Sequence, residues 1–357
     1  MAKLVLDGVT KRFGDEPVVN EVSLTIESGQ FVALLGPSGC GKTTILRSIA
    51  GFEQLDDGLI ALDNDTISSR VHHVAPELRQ MSMVFQSYAL WPHMNVMDNV
   101  GYSLKLKGVN GGEYKRRVNE SLEAVKMEHL LHRMPSELSG GQRQRVALAR
   151  CLVSSPKVVL LDEPLANLDR HLRASMEQIF REFHQRSGTT FVYVTHDQAE
   201  AMALADQVAV MNQGKIVQFD SPENLYRFPD CEWTARFIGQ GSIVYSYTKP
   251  MGNGRNLHGE DVMNALNNQP KTKPANAQYH AILVRPQHIR PLISENAQDV
   301  SQQSVKGRII DRVFKGERYH YQTEILGNQH IEIYSEDKLL VGQELQLCIE
   351  KGYLLRS

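Results

Sequence analysis

The chain has 357 residues, with 39 lysines and arginines against 41 aspartates and glutamates, for a formal charge of −2. At roughly 100–200 residues per domain this predicts about two domains, each able to bury its own core. The near-neutral balance argues against a large basic face for nucleic acid. The longest apolar runs are four or five residues, such as Val158–Leu161, whereas a membrane span takes about 20, so the chain is not expected to cross a membrane by itself.

The N-terminal residues Met-Ala-Lys-Leu-Val-Leu-Asp hold no long apolar stretch, and no secretory leader is expected. Cys40, Cys151, Cys231 and Cys348 are scattered without paired spacing, which suggests neither a zinc site nor a disulfide framework but a reduced, cytosolic chain. The pair His72-His73 has no cysteine nearby and reads as a solvated loop.

In chain order, residues 3–35 read as strands. Leu4 and Leu6 alternate with Val5 and Asp7, and Val22, Leu24 and Ile26 alternate with polar neighbours. Phe31-Val-Ala-Leu-Leu35 is a short apolar run entering a glycine-rich turn, as a buried parallel strand does. Helical patterns dominate about 97–153. Val158–Leu161 and Phe191–Thr195 are two further buried strands, separated by a helix whose Leu172, Met176, Ile179 and Phe183 share one face. Strands alternating with helices predict an α/β fold with a largely parallel sheet. Val208–Phe219 reads as a hairpin turning at Asn212-Gln213-Gly214.

The texture changes near Gly239. Residues 250–280 contain Pro250, Gly252, Gly254, Pro270 and Pro274 among many Asn and Gln, and read as largely aperiodic. Short strand-like runs follow at Ala281–Val284, Val305–Ile310, Tyr319–Ile325, Ile331–Tyr334 and Leu345–Ile349, the pattern of a small β-barrel or sandwich. The expected division is therefore 1–238, with a helical subdomain over about 88–153, and 239–357.

Gly36, Pro37, Ser38, Gly39, Cys40, Gly41, Lys42 and Thr43 fit G-x-x-x-x-G-K-[ST] behind a predicted strand, with Thr44 following. The glycines let backbone N–H groups converge on phosphates, and the helix beginning near Lys42 points its positive end at them. Lys42 should reach the β- and γ-phosphates, and the Thr43 hydroxyl should ligate Mg²⁺. Asp162 and Glu163 end the apolar run Val158–Leu161, where ligands bind in α/β sheets. Asp162 would hold Mg²⁺ and Glu163 would polarise the attacking water. Together these residues point to ATP hydrolysis. Cys40 reads as a small loop residue whose thiol pKa helix amides and Lys42 could lower, so alkylation is expected to block turnover, with ATP protecting.

Leu138-Ser139-Gly140-Gly141-Gln142 precedes a helix and looks like a second phosphate-facing helix N-terminus without a lysine. Here the chain resembles the ATP-binding-cassette ATPases, an α/β P-loop fold. In that family this signature closes over the γ-phosphate held by the opposite subunit. The resemblance extends to single positions. Phe13, which taken alone reads equally as a core residue, sits where the family stacks an aromatic on adenine. Gln86 matches the glutamine that senses Mg²⁺ and the attacking water. Leu165-Ala-Asn-Leu-Asp169 resembles the loop crossing the dimer seam, with Ala166 where many members carry serine. His196 matches the switch histidine that contacts the γ-phosphate. The resemblance implies a head-to-tail homodimer sandwiching two ATP molecules with Mg²⁺, closing on ATP and opening on hydrolysis.

Ser87-Tyr-Ala-Leu-Trp-Pro-His-Met94 is rich in large side chains and is read as lining a groove for a helix of a membrane subunit, or else as packing the helical subdomain. With Phe85 and Gln86 it resembles ATPase subunits of bacterial binding-protein-dependent importers for sugars, polyamines and ferric ion. Leu283–Ile289 and Gly307–Glu317 resemble the oligomer-binding-fold-like (TOBE) barrel appended to such subunits. The expectation is a peripheral ATPase on the cytoplasmic face of the inner membrane. Its partners would be integral permease subunits and, through them, a solute-binding protein, with no nucleic acid. The cargo is expected to be ferric ion, a polyamine or a phosphonate-like solute, or alternatively a sugar. A soluble cassette ATPase acting on nucleic acid or ribosomes is the reading from another class.

Overall fold

Three short parallel strands, Phe31–Leu35, Val158–Asp162 and Thr190–Thr195, are buried at every residue. A computed structural model describes residues 2–85, 87–166, 168–250, 254–268, 279–292 and 304–356. The chain divides into two compact units, Met1–Pro222 and Glu223–Ser357.

The first unit runs Leu4–Phe13 (β1), Glu16–Ile26 (β2), Phe31–Leu35 (β3), Lys42–Ala50 (α1), Asp57–Leu62 (β4), Asp65–Ser69 (β5), Met81–Val84 (β6), Val96–Leu106 (α2), Gly111–Ala124 (α3), Gly140–Leu152 (α4), Val158–Asp162 (β7), Arg170–Ser187 (α5), Thr190–Thr195 (β8), Gln198–Leu204 (α6), Gln207–Asn212 (β9) and Lys215–Asp220 (β10). Strands β2-β1-β4-β5 form an antiparallel sheet. Leu4 pairs with Ile26 and Leu6 with Leu24, so the alternation seen in the sequence places these apolar residues on one buried face. The second sheet has the order β10-β9-β3-β8-β7-β6. It is parallel except for β10, as expected of strands β3, β7 and β8, in which every residue is buried. The β9–β10 hairpin turns on Gln213 and Gly214, both at positive φ (47° and 78°), the two-residue turn that matches strand twist. One core joins both sheets to α1, including Leu6, Leu24, Ile45, Ile49, Leu160 and Val192.

The second unit carries the short helices Pro222–Arg227 (α7) and Glu232–Phe237 (α8), then Ser242–Ser246 (β11), Asn256–His258 (β12), Gly259–Asn267 (α9), His280–Val284 (β13), Ile289–Leu292 (β14), Val305–Phe314 (β15), Tyr319–Ile325 (β16), Gln329–Ser335 (β17), Glu344–Ile349 (β18) and Lys351–Leu354 (β19). Two antiparallel sheets, β11-β13-β19-β12 and β14-β18-β15-β16-β17, enclose a core that includes Val244, Ile282, Ile309, Ile331 and Leu347.

Two expectations need revision. The second unit begins at Glu223, before the texture change at Gly239. Ala235 of α8 packs with Ile243 and Leu283, and Arg285 donates to the carbonyls of Tyr226 and Ile238, so this stretch belongs with the β-rich unit. The interval 250–280, read as aperiodic, contains α9. Val262, Met263, Ala265 and Leu266 of α9 are buried in the core. Asp261 accepts from the amide of His258 at 3.1 Å and fixes the helix start. Fewer than three turns flanked by Asn and Gly left too little periodicity to detect.

Candidate active site

Strand β3 ends at Leu35, and the chain must then reverse tightly to start α1. Gly39 and Gly41 take φ of 81° and 100°, and a Cβ at Gly41 would lie 2.5 Å from the Val18 carbonyl oxygen. Both conformation and space therefore require glycine there. Helix α1 has no side-chain cap and no acid in its first turn, so neither competes with an anion for its N-terminal amides and dipole. Lys42 is buried, and its ammonium donates to the carbonyls of Gly36 (2.8 Å) and Pro37 (2.9 Å). Pro37, Ser38 and Gly39 are exposed, while Thr43 and Thr44 are half-buried.

The Thr43 hydroxyl donates to Asp162 Oδ1 at 3.1 Å across 119 residues of sequence. Asp162 is buried at the end of β7, and burial raises its pKa against the opposing pull of the Thr43 hydrogen bond and the charges of Arg47 and Lys42. A hydroxyl and a carboxylate, both hard oxygen donors facing one another, suit Mg²⁺.

Glu163 follows in the left-handed region at φ 44°, a cost for a residue with a Cβ that a functional site can hold. Its amide donates to the Val194 carbonyl of β8 at 3.0 Å, and its Oε1 lies 3.3 Å from Nδ1 of His196, which is exposed at the end of β8. The adjacent strand ends thus bring Lys42, Thr43, Asp162, Glu163 and His196 to the carboxyl edge of one sheet.

Ser139 caps α4. Its hydroxyl accepts from the amide of Gln142 (3.3 Å), and the Gln142 side chain accepts from the amide of Ser139 (2.9 Å), a reciprocal capping box. A Cβ at Gly141 would lie 2.3 Å from Leu172 Cδ2, so Gly141 permits the close approach of α4 to α5. Asp169 caps α5, accepting from the amide of Leu172 at 3.0 Å. Among the described residues, Ser139, Gln142 and Asp169 bond within their own helices and do not join the Lys42 cluster of the same chain. Gly140 opens α4. Phe13 is 54% exposed, with the Lys11 ammonium 5.3 Å from its ring centroid, which removes the core reading. Gln86 lies outside the described residues.

Cys40 departs from expectation. It is 3% exposed, and burial pushes its thiol up, with the Lys42 ammonium only partly opposing. The thiol is neither accessible nor acidified.

Four further side chains, Gln144, Arg79, Arg150 and Asn99, hold neighbouring backbone in place without a motif to announce them. The side chain of buried Gln144 in α4 donates to the Pro164 carbonyl at 2.5 Å, tying the signature helix to the turn after Glu163. Arg79, 1% exposed, donates to the carbonyls of Val74, Ser48 and Ile49 at 2.7–2.9 Å. It closes the carbonyl end of α1, and burial lowers its pKa to about 10. Arg150 of α4 donates to the carbonyls of Tyr88 (2.9 Å) and Ala89 (2.6 Å) and lies 5.0 Å from the Trp91 ring. Tyr88 and Ala89 both hold positive φ, 61° and 46°. The Asn99 side chain bonds both the amide and the carbonyl of Trp91. The segment 87–94 is therefore stitched to the helical layer while Tyr88, Leu90 and Trp91 stay half-buried.

Residues 19–166 match the ABC transporter family, and residues 282–353 match the TOBE domain family. The spermidine/putrescine import ATP-binding protein PotA of Pseudomonas aeruginosa (strain UCBPP-PA14) is 43% identical over 332 residues, covering 92% of this chain and 89% of that protein. The Fe(3+) ions import ATP-binding protein FbpC of Escherichia coli (strain K12) is 50% identical over 238 residues, 67% of each chain. A solved structure, the dimeric post-hydrolysis state of the ATP-binding cassette MJ0796 bound to ADP and Pi, is 30% identical with a TM-score of 0.55, covering 61% of this chain and 98% of its own. Similarity of this extent shows that the chain belongs to the ABC transporter family, as an importer-type ATPase subunit whose cassette is followed by a TOBE domain.

Proposed function

We propose that this chain powers polyamine import by hydrolysing ATP between two copies arranged head to tail. The observation that carries the chemistry is the convergence of Lys42, Thr43 and Asp162 beside the Glu163–His196 pair at one sheet edge. Lys42 leaves its loop carbonyls for the β- and γ-phosphates, and the backbone amides of residues 38–44 bind the remaining phosphate oxygens. Phe13 stacks on adenine. Thr43 and Asp162, with Gln86, would hold Mg²⁺, which when bound neutralises charge on the phosphate oxygens. Glu163 accepts a proton from the attacking water, and His196 fixes the carboxylate through Nδ1 while facing the γ-phosphate. Ser139, Gly140, Gly141 and Gln142 of the partner copy bind the γ-phosphate from the other side, and Asp169 lies along the seam. Supporting this pairing, the side chains of Ser139 and Gln142 bond each other's amides at the start of α4, and among the described residues neither bonds the 36–43 loop of its own chain.

The segment 87–94 supplies the docking groove for an integral permease, through which an external solute-binding protein is served. This puts the chain on the cytoplasmic face of the membrane. Polyamine is favoured as cargo because similarity to the spermidine/putrescine relative runs through 92% of the chain, whereas similarity to the ferric-ion relative covers 67%. The test is the Glu163→Gln chain, tagged and recovered with ATP from detergent-solubilised membranes. It is expected to bind ATP as a stable dimer, to hydrolyse it about 10²–10⁴-fold more slowly, and to co-purify a multi-span permease. Spermidine uptake, but not ferric-ion uptake, should fail in cells lacking the gene. Near-normal hydrolysis would remove Glu163 from the mechanism, and recovery of ribosomal proteins without a permease would overturn the transport reading.

A further inference from the structure

His196 presents a problem of support. Its ring is exposed, and its described partner is Glu163 Oε1 at 3.3 Å. The aim of such a ring depends on the backbone to either side, and both neighbours belong to one charged network. The Asp197 amide donates to the Thr195 hydroxyl at 3.0 Å, and Asp197 Oδ1 accepts from the amide of Ala199 at 2.8 Å. Glu200, 3% exposed, receives the hydroxyls of Thr195 and Tyr193, each at 2.7 Å. The cation that unites these carboxylates comes from elsewhere in the chain. Arg173 Nη1 donates to Asp197 Oδ2 at 2.8 Å, and its Nε lies 3.6 Å from Glu200 Oε1, an ionic contact rather than a hydrogen bond.

Arg173 belongs to the first turn of α5, and its amide donates to the Asp169 carbonyl at 2.9 Å. The same side chain therefore touches the turn carrying His196, and its backbone is bonded to the residue that caps α5. We propose that Arg173 is a positioning residue for ATP hydrolysis, transmitting the placement of Asp169 at the start of α5 to His196. This rests on the reading of His196 as a group that acts on ATP. Without the guanidinium, the carboxylates of Asp197 and Glu200 would face one another unbalanced. Glu177 of the same helix adds to that acidic cluster, its pKa raised by partial burial and then by the charge of Glu200, while Arg181 is the other cation acting on it. Repulsion would then shift the Asp197 turn and its neighbour His196. A lysine loses the fork but keeps the positive charge that balances the two carboxylates, which is what this role requires.

The test is a double-mutant cycle in the full chain, read as kcat and KM for ATP and as Tm. Arg173→Met is expected to lower kcat by about 10- to 100-fold with KM within about threefold, and in a His196→Ala background to cost no more than about a further twofold, as residues acting through one contact do. Arg173→Lys is expected to recover most of the lost kcat, and it serves as the folded comparison if Arg173→Met does not accumulate. Losses that multiply in the double variant overturn the proposal and leave the role of His196 standing. So does an Arg173→Lys chain with the rate and Tm of Arg173→Met, which marks a purely structural role. A wild-type rate in His196→Ala overturns the reading of His196, and the proposal with it.

Discussion

Asp162 closes a strand whose residues are all buried, and its carboxylate is held in a place that disfavours its charge. A carboxylate whose pKa is higher folded than unfolded stabilises the fold when protonated, and that contribution is lost as pH rises through the folded value. Asp162→Asn keeps an oxygen to accept from Thr43 and removes the charge. At neutral pH the variant is expected to melt higher than the wild type without nucleotide, while losing Mg²⁺-dependent hydrolysis. The difference in Tm should vanish below the ordinary aspartate range, where both side chains are neutral. An equal or lower Tm at neutral pH would show that the carboxylate is not strained. Cys40 follows the same logic of burial. An Ellman titration of the native chain is expected to label Cys231 and Cys348, which are partly exposed, ahead of buried Cys40 and Cys151, whose reaction should wait for denaturant. Rapid loss of ATPase activity with label on Cys40 would contradict this.

At the scale of elements, helices are held at their ends by residues distant in sequence. Arg79 satisfies carbonyls at the end of α1 and just before itself, so its loss removes donors from the carbonyl groups of Ile49 and Val74, while the Ser48 carbonyl keeps the Gly51 amide. With about 1–3 kcal/mol for each such group, Arg79→Met is expected to cost several kcal/mol in urea unfolding, and a shift under about 0.5 kcal/mol would show that water replaces it. Helix α9 contributes through packing instead. Leu266, 1% exposed, should cost about 2–5 kcal/mol when cut to alanine, as large-to-small core changes do, read as a lowered unfolding midpoint. Neither residue was evident beforehand. A lone arginine shows nothing of its burial, and α9 is too short to display a period amid Asn and Gly. The hairpin at Gln213-Gly214 and the strand Phe31–Leu35 were evident, because a turn conformation and a buried run each need particular residues in succession.

For the whole molecule, ligand binding and stability are linked. A nucleotide that binds only the folded chain at about 100 times its Kd stabilises it by about 2.7 kcal/mol. ATP with EDTA is therefore expected to raise the Tm of the wild type, and Lys42→Ala should abolish that shift, because the buried ammonium is the cation nearest the loop carbonyls of Gly36 and Pro37. A Tm shift preserved in Lys42→Ala would move the nucleotide elsewhere.

The sequence by itself determined the family, the α/β class of the first unit and the β-rich second unit, and it picked out the candidate phosphate-site residues. These depend on local requirements: glycines for left-handed turns, apolar runs for parallel strands and acids at strand ends. Tertiary structure decided what depends on which strand lies beside which. Placing β3 beside β8, and β8 beside β7, brought Thr43 to Asp162 and Glu163 to His196. The same packing left Phe13 exposed, buried Cys40, closed α1 with Arg79 and set Arg173 against Asp197. Burial and ion pairing are properties of neighbours in space, and sequence spacing carries no record of them until the strand order is known.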